Sequence, residues 1–113
     1  MHEVSIICSA MEEIEYHCKL NNIVKVSKIL LAIGKFVAVD NEALRFAFEG
    51  VSKGTSCEGA VMEVEEIIPM AYCETCNEEY EVSFTRRSCP LCGNVSSNLT
   101  KGNEILLYRI EGE

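Results

Sequence analysis

The residues with the clearest chemistry are four cysteines: Cys73-x2-Cys76, twelve intervening residues, then Cys89-x2-Cys92. Thiolates are soft ligands, and a two-residue gap lets one tight turn offer two sulfurs to the same ion. Two such turns can therefore enclose one divalent metal tetrahedrally. Zinc is the favoured ion and its role structural, because four sulfurs fill the shell and leave no position for water or substrate. A rubredoxin-like iron centre is the main competitor, since Cys-Pro-x-Cys-Gly also suits tetrahedral iron, and disulfides are the remaining alternative. Gly93, directly after Cys92, permits the backbone turn that aims amides at the sulfurs.

A second metal chemistry lies at the start of the chain. The Met1 α-amine, the His2 imidazole and the intervening amide nitrogens can wrap a small ion in one plane. Amides give up their protons only to ions that reward a strong planar field, which selects Ni(II) or Cu(II) over zinc. A bulky second residue generally prevents excision of the initiator, so Met1 is expected to supply the amine. Alone the motif is weak, because a second-position histidine is more often solvated. His17, beside Tyr16 and Cys18, reads as a surface or partly buried side chain rather than a ligand. No nucleophile, base and orienting acid can be assembled from two histidines at positions 2 and 17, and a filled four-sulfur shell cannot activate water. The chain is not expected to be an enzyme.

Composition narrows the partners. The formal charge of −8 becomes about −10 with four thiolates and one zinc dication, which repels phosphate backbones. Arg86 and Arg87 read as a solvated turn, and Lys53-Gly54-Thr55 lacks the upstream glycine of a Walker A loop. Nucleic acid and nucleotide hydrolysis are thus excluded. No apolar run approaches the roughly 20 residues of a membrane helix, and Glu3, Glu12, Glu13 and Glu15 contradict a signal peptide. Of seven cysteines three remain outside the motif, an odd number that speaks against a secreted disulfide framework and for a reducing cytoplasm. Cys8 and Cys18 read as small core hydrophobes, and Cys57 as a thiol in a loop open to oxidation.

These sites need elements to hold them. Val4, Ile7, Cys8, Met11, Ile14 and Cys18 recur at helical spacing, with Asn21 and Asn22 as the stop. The β-branched run Ile23 to Val39 reads as a strand. Asp40 or Asn41 caps a second helix through Glu49, with Leu44, Ala47 and Phe48 on one face. Ala60 to Ile68 reads as a strand stopped by Pro69, and Glu104 to Ile110 as a third strand rejoining the first two. The expected class is α+β: a small mixed three-stranded sheet with two helices, plus an inserted zinc-ribbon-like four-cysteine lobe. Residues 1–70 and 101–113 form the nickel-binding domain and 71–100 the zinc-binding domain, where Tyr80 to Phe84 reads as a short hairpin and Asn94 to Thr100 as a polar linker.

Taken in order, Met1-His2-Glu3, Leu44-Arg45-Phe46-Ala47-Phe48-Glu49, Gly54-Thr55, Ile67-Ile68-Pro69 and Cys-x2-Cys with Cys-Pro-Leu-Cys-Gly make the whole chain resemble the HypA family of nickel metallochaperones. That resemblance implies delivery of Ni(II) during maturation of [NiFe]-hydrogenase, and in some organisms of urease. It implies as partners a HypB-like GTPase and the hydrogenase large subunit or its maturation complex, and leaves room for a homodimer. By the resemblance His2 is the nickel ligand, Glu3 contributes backbone and orients the site, and Cys73, Cys76, Cys89 and Cys92 hold structural zinc. Two departures stand out: Asn41 replaces the family's common proline before Glu42, and residues 71–100 contain no histidine. The competing function is a zinc-ribbon adaptor in a regulatory complex, with His2 incidental.

Overall fold

The first helix, α1 (Glu3–Leu20), buries Ile6, Ile7, Ala10, Met11, Ile14 and Cys18. A computed structural model describes residues 3–113; the expected nickel ligands Met1 and His2 lie outside the described residues. The buried stripe of α1 is rotated from the expected one. Val4 is 56% exposed and Cys8 is exposed, while Ile6 and Ala10 take their places, so of the two helical cysteines only Cys18 is a core residue. Asn21 ends the helix: its backbone N–H and its side-chain amide both donate to His17 O, at 3.1 and 2.8 Å, and Asn22 turns the chain with φ 56°.

The next run is shorter than its β-branched composition predicts. Ile23 N still donates back to Cys18 O, so strand β1 begins at Val26 and ends at Gly34 (Val26–Gly34), followed by a 3-10 turn, Lys35–Val37. Helix α2 (Asn41–Ser52) is capped by Asp40, whose carboxylate accepts from Glu42 N at 2.9 Å and Ala43 N at 3.3 Å. It buries Leu44, Ala47 and Phe48 and runs one turn beyond Glu49. The following loop is held tightly, with Thr55 Oγ1 accepting from Cys57 N, and Cys57 is fully buried rather than open to oxidants. Burial pushes its thiol pKa up, which further suppresses the reactive thiolate.

Strands β2 (Val61–Ile67) and β6 (Ile105–Gly112) flank β1 in the order β2-β1-β6. Lys25 and Glu113 exchange both backbone hydrogen bonds at 2.9 Å, and Ser27 Oγ reaches Glu111 O, so β6 runs antiparallel to β1. A second three-stranded sheet, absent from the sequence reading, has the order β4-β3-β5: β3 (Met70–Cys73), β4 (Glu78–Glu81) and β5 (Leu99–Lys101). β3 and β4 form the hairpin, pairing Cys73 with Glu78 and Ala71 with Tyr80. The hairpin thus sits earlier than Tyr80 to Phe84: Ser83 N bonds Arg86 O in a turn and Phe84 is 61% exposed. The expected polar linker contributes strand β5.

The chain divides into two compact units, one of Met1–Ala32, Ala38–Glu65 and Leu106–Glu113, the other of Ile33–Val37 and Glu66–Ile105. The two helices, the sheets and the cysteine cluster realise the expected α+β class with a cysteine-bearing insert.

Candidate metal centre

Both Cys-x2-Cys turns are built the same way. After Cys73 ends β3, residues 74–77 reverse the chain and Asn77, at φ 55°, supplies the left-handed residue that admits β4. In the second turn Gly93 N donates to Cys89 O at 2.8 Å, Cys89 N donates to Asn94 O at 2.8 Å, and Gly93 sits at φ 77°. A β-carbon would meet no atom at Gly93, so its glycine serves the backbone angle and not space. The two turns touch through Asn94 Nδ2, which donates to Thr75 Oγ1 at 3.2 Å.

This arrangement brings the four predicted ligands together. The sulfurs of Cys73, Cys76, Cys89 and Cys92 all lie within 4.8 Å of one another, with Cys73 to Cys92 at 3.5 Å and Cys76 to Cys89 at 4.0 Å. A tetrahedron of sulfurs about 2.3 Å from a central ion has edges of about 3.8 Å, so the four sulfurs are grouped at the spacing one ion requires to within about 1 Å. Cys73 and Cys89 are buried, Cys76 half-buried and Cys92 exposed. Competition for protons within the cluster is uneven. Backbone N–H groups of Cys92 and then Leu91 pull the Cys89 thiol down to about 7, while hydrogen bonding with Cys92 and then burial push Cys76 up to about 12. The second turn is therefore prepared to present a thiolate near neutral pH, the form a metal requires.

Tyr80 braces this centre and was not foreseen as a support. Its ring is buried beside Ala71, Cys73, Val82 and Cys89, its hydroxyl donates to Arg87 O at 2.9 Å, and it accepts from Ser96 N at 3.1 Å. A tyrosine in a short alternating strand gives no sequence signal of a partner sixteen residues on.

Of the expected nickel residues only Glu3 is described, and its carboxylate is already engaged. Oε2 accepts from Asp40 N at 3.0 Å, and this bond holds the Glu3 pKa below its ordinary 4.5. The carboxylate of α1's first residue thus bonds the residue that caps α2, a link between positions 37 apart in sequence that sequence reading missed. His17 is exposed on the last turn of α1. Among the described residues the four cysteines are the single cluster of three or more metal-ligating side chains.

Residues 1–112 match the family model described as HypA, hydrogenase/urease nickel incorporation, metallochaperone. The chain belongs to the HypA family. Hydrogenase maturation factor HypA of Desulfitobacterium hafniense is 34% identical over 113 residues, covering 100% of this chain and 99% of that protein. Hydrogenase maturation factor HypA of Syntrophus aciditrophicus is 36% identical over 106 residues, covering 94% and 93%. The fold agrees: the solution structure of the Ni metallochaperone HypA from Helicobacter pylori superposes with a TM-score of 0.76 at 25% identity, covering 99% of this chain and 97% of that one. HypA proteins are maturation factors and nickel metallochaperones, and no described helix here is long and apolar enough to cross a membrane.

Proposed function

We propose that this chain takes up Ni(II) at its N-terminus and hands it on during maturation of [NiFe]-hydrogenase, without catalysing a reaction of its own. The observation that carries the reading is the extent of the family match, which reaches residue 1 and so includes Met1-His2-Glu3. Nickel here is cargo. The Met1 amine, the amides that follow and the His2 imidazole are its ligands, in the planar field that favours Ni(II). Glu3 contributes differently from its neighbours: its carboxylate is occupied by Asp40 N–H, so it is the backbone nitrogen of Glu3 that meets the metal. Urease is a second recipient class, named with hydrogenase in the family description. The setting is the cytoplasm, with a HypB-like GTPase and the hydrogenase large subunit as partners.

Cys73, Cys76, Cys89 and Cys92 would hold zinc, which supplies a cross-link between the two turns and no open coordination position. The domain partition follows: a nickel-handling domain of residues 1–70 and 101–113 and a zinc-stabilised one of 71–100. Family membership favours this reading over a zinc-ribbon adaptor.

The test is titration of the untagged protein with nickel sulfate, followed by visible absorption of the planar amide complex. One equivalent should bind, His2→Ala should abolish it with zinc content intact, and one residue added before Met1 should weaken it. Nickel should leave as pH falls through about 6.5, the ordinary histidine range, ahead of zinc. Unchanged nickel stoichiometry in His2→Ala would defeat the assignment.

A further inference from the structure

The sheet β2-β1-β6 has one buried face and one open one. Ile29 and Leu31 are fully buried and Met62 is 5% exposed, so these alternate positions face the core. Strand alternation then puts Lys28 and Leu30 of β1 on the other face, and the exposure of Leu106 and Tyr108 puts these two residues of β6 there as well. The ion pair from Lys28 Nζ to Glu63 Oε1, 3.1 Å, assigns Glu63 to that same face, and strand alternation adds Val61 and Glu65. The open face is therefore two-sided in character. Along β6 it presents Leu106, 50% exposed, and Tyr108, 63% exposed; along β2 it presents Glu63 and Glu65.

Leaving Leu106 and Tyr108 in water costs free energy that a second layer over the open face would recover, and a single amphipathic helix is the smallest element that can supply such a layer. Charge decides which kind. Lys28 is engaged by Glu63, Glu65 has no ion pair among the described residues, and the chain carries −8. A second copy would bring like charge to like; a basic partner would not. We infer that this face docks an amphipathic helix of a partner protein, its apolar stripe on Leu30, Leu106 and Tyr108 and its Lys or Arg flank against Glu63 and Glu65. The surface is a holding site, separate from metal uptake, and a chaperone that must stay on a recipient during transfer gains residence time from it.

The probe is a labelled Leu/Lys amphipathic peptide of about 18 residues, five helical turns, added to zinc-loaded, nickel-free protein, with a Leu/Glu peptide of the same pattern as counterpart. Binding is read by anisotropy and located by amide shifts. The Lys peptide should bind with shifts on β1, β2 and β6, and the Glu peptide should bind at least about tenfold more weakly. Leu106→Ser with Tyr108→Ser should cost about tenfold or more, as should Glu63→Lys with Glu65→Lys; all four side chains are exposed, and the charge pair keeps the test open if the apolar pair fails to fold. No binding, shifts elsewhere, equal binding of both peptides, or insensitivity to both double variants would overturn the inference. A doubled mass in solution that Leu106→Ser with Tyr108→Ser returns to monomer would overturn it in favour of a second copy as occupant. Because nickel is absent throughout, failure here leaves the nickel reading untouched.

Discussion

The two compact units solve the same problem with different materials. In the first, the fully buried side chains include Ile7, Ile14, Ile29, Leu31 and Leu44, an aliphatic core contributed by both helices and β1. In the second, the buried cluster is Ala71, Cys73, Tyr80, Val82 and Cys89, and two of its five members belong to the four-cysteine cluster. An aliphatic core is stabilised by removing apolar area from water, whereas a core this small and this rich in sulfur gains its stability, on the proposed reading, from the cross-link of a bound metal. The same difference separates a body that must keep its shape from a site that must keep its ion. It predicts that the units fail independently and for different reasons.

The largest effect should come from breaking the sulfur cluster. Cys73→Ala removes a buried ligand, and structural zinc contributes roughly 10 kcal/mol or more to folding in small zinc domains. The expected result is loss of metal and of amide protection across 66–105, with α1 and α2 retained, as followed by metal analysis and hydrogen exchange. Retained zinc at full occupancy, or collapse of both units together, would break the comparison. Cys92→Ala should do the same despite its exposure, because three sulfurs leave the shell open to water.

Next in size is the mirror experiment. Leu44→Ala deletes a fully buried side chain of α2 and should cost about 2–5 kcal/mol in the first unit, with zinc stoichiometry unchanged. Denaturant unfolding read from helical amides checks it. A variant that also released zinc would show the units to be one cooperative body.

Tyr80→Phe probes a smaller contribution inside the metal unit. It leaves the ring and removes the hydroxyl, so Arg87 O loses its donor and Ser96 N its acceptor, at about 1–2 kcal/mol. The metal should stay bound but leave faster to a chelator, because the segment carrying Cys89 is less constrained. Equal release rates in variant and parent would assign the stability of this unit to the cysteines alone.

What could be read from the chain follows from how local each signal is. The cysteine turns were legible because their ligands are two residues apart and the geometry is set within five. The helices were legible as helices, but the buried stripe of α1 was misplaced toward Val4 and Cys8: Ile6 and Ile7 are adjacent, so a 3.6-residue period accepts either rotation, and only tertiary packing, against α2 among others, decides. Cys57 looked like a loop thiol because its flanks, Ser56 and Gly59, are loop residues, yet the loop folds inward. β3 and β5, four and three residues long, are too short for alternation to register, and Leu99-Thr100-Lys101 becomes a strand only because β3 lies beside it. The link from Glu3 to Asp40 could not be read at all, since it belongs to the tertiary meeting of two helix starts.

That link gives the smallest and sharpest prediction. Glu3 is the one residue of the proposed nickel site whose side chain the structure describes, and its pKa is lowered first by the hydrogen bond from Asp40 N. A folded pKa below the unfolded 4.5 means that the unfolded chain takes up the proton more readily. The carboxylate's contribution is therefore fully present above about pH 4.5 and is lost as pH falls through the lower folded value. Glu3→Gln keeps an oxygen acceptor but no charge, so the parent should be the more stable at pH 7 and the gap should narrow as pH falls toward 3. Stability of the first unit, read from α1 amides so that acid loss of zinc from the other unit does not intrude, tests this. A gap that stays constant to pH 3 would mean that the ionised carboxylate does not hold α1 to the cap of α2. Nickel affinity supplies the second readout: if the backbone of Glu3 and not its carboxylate meets the metal, Glu3→Gln should shift affinity far less than His2→Ala. Equal losses in the two variants would place the carboxylate on the ion and remove it from Asp40.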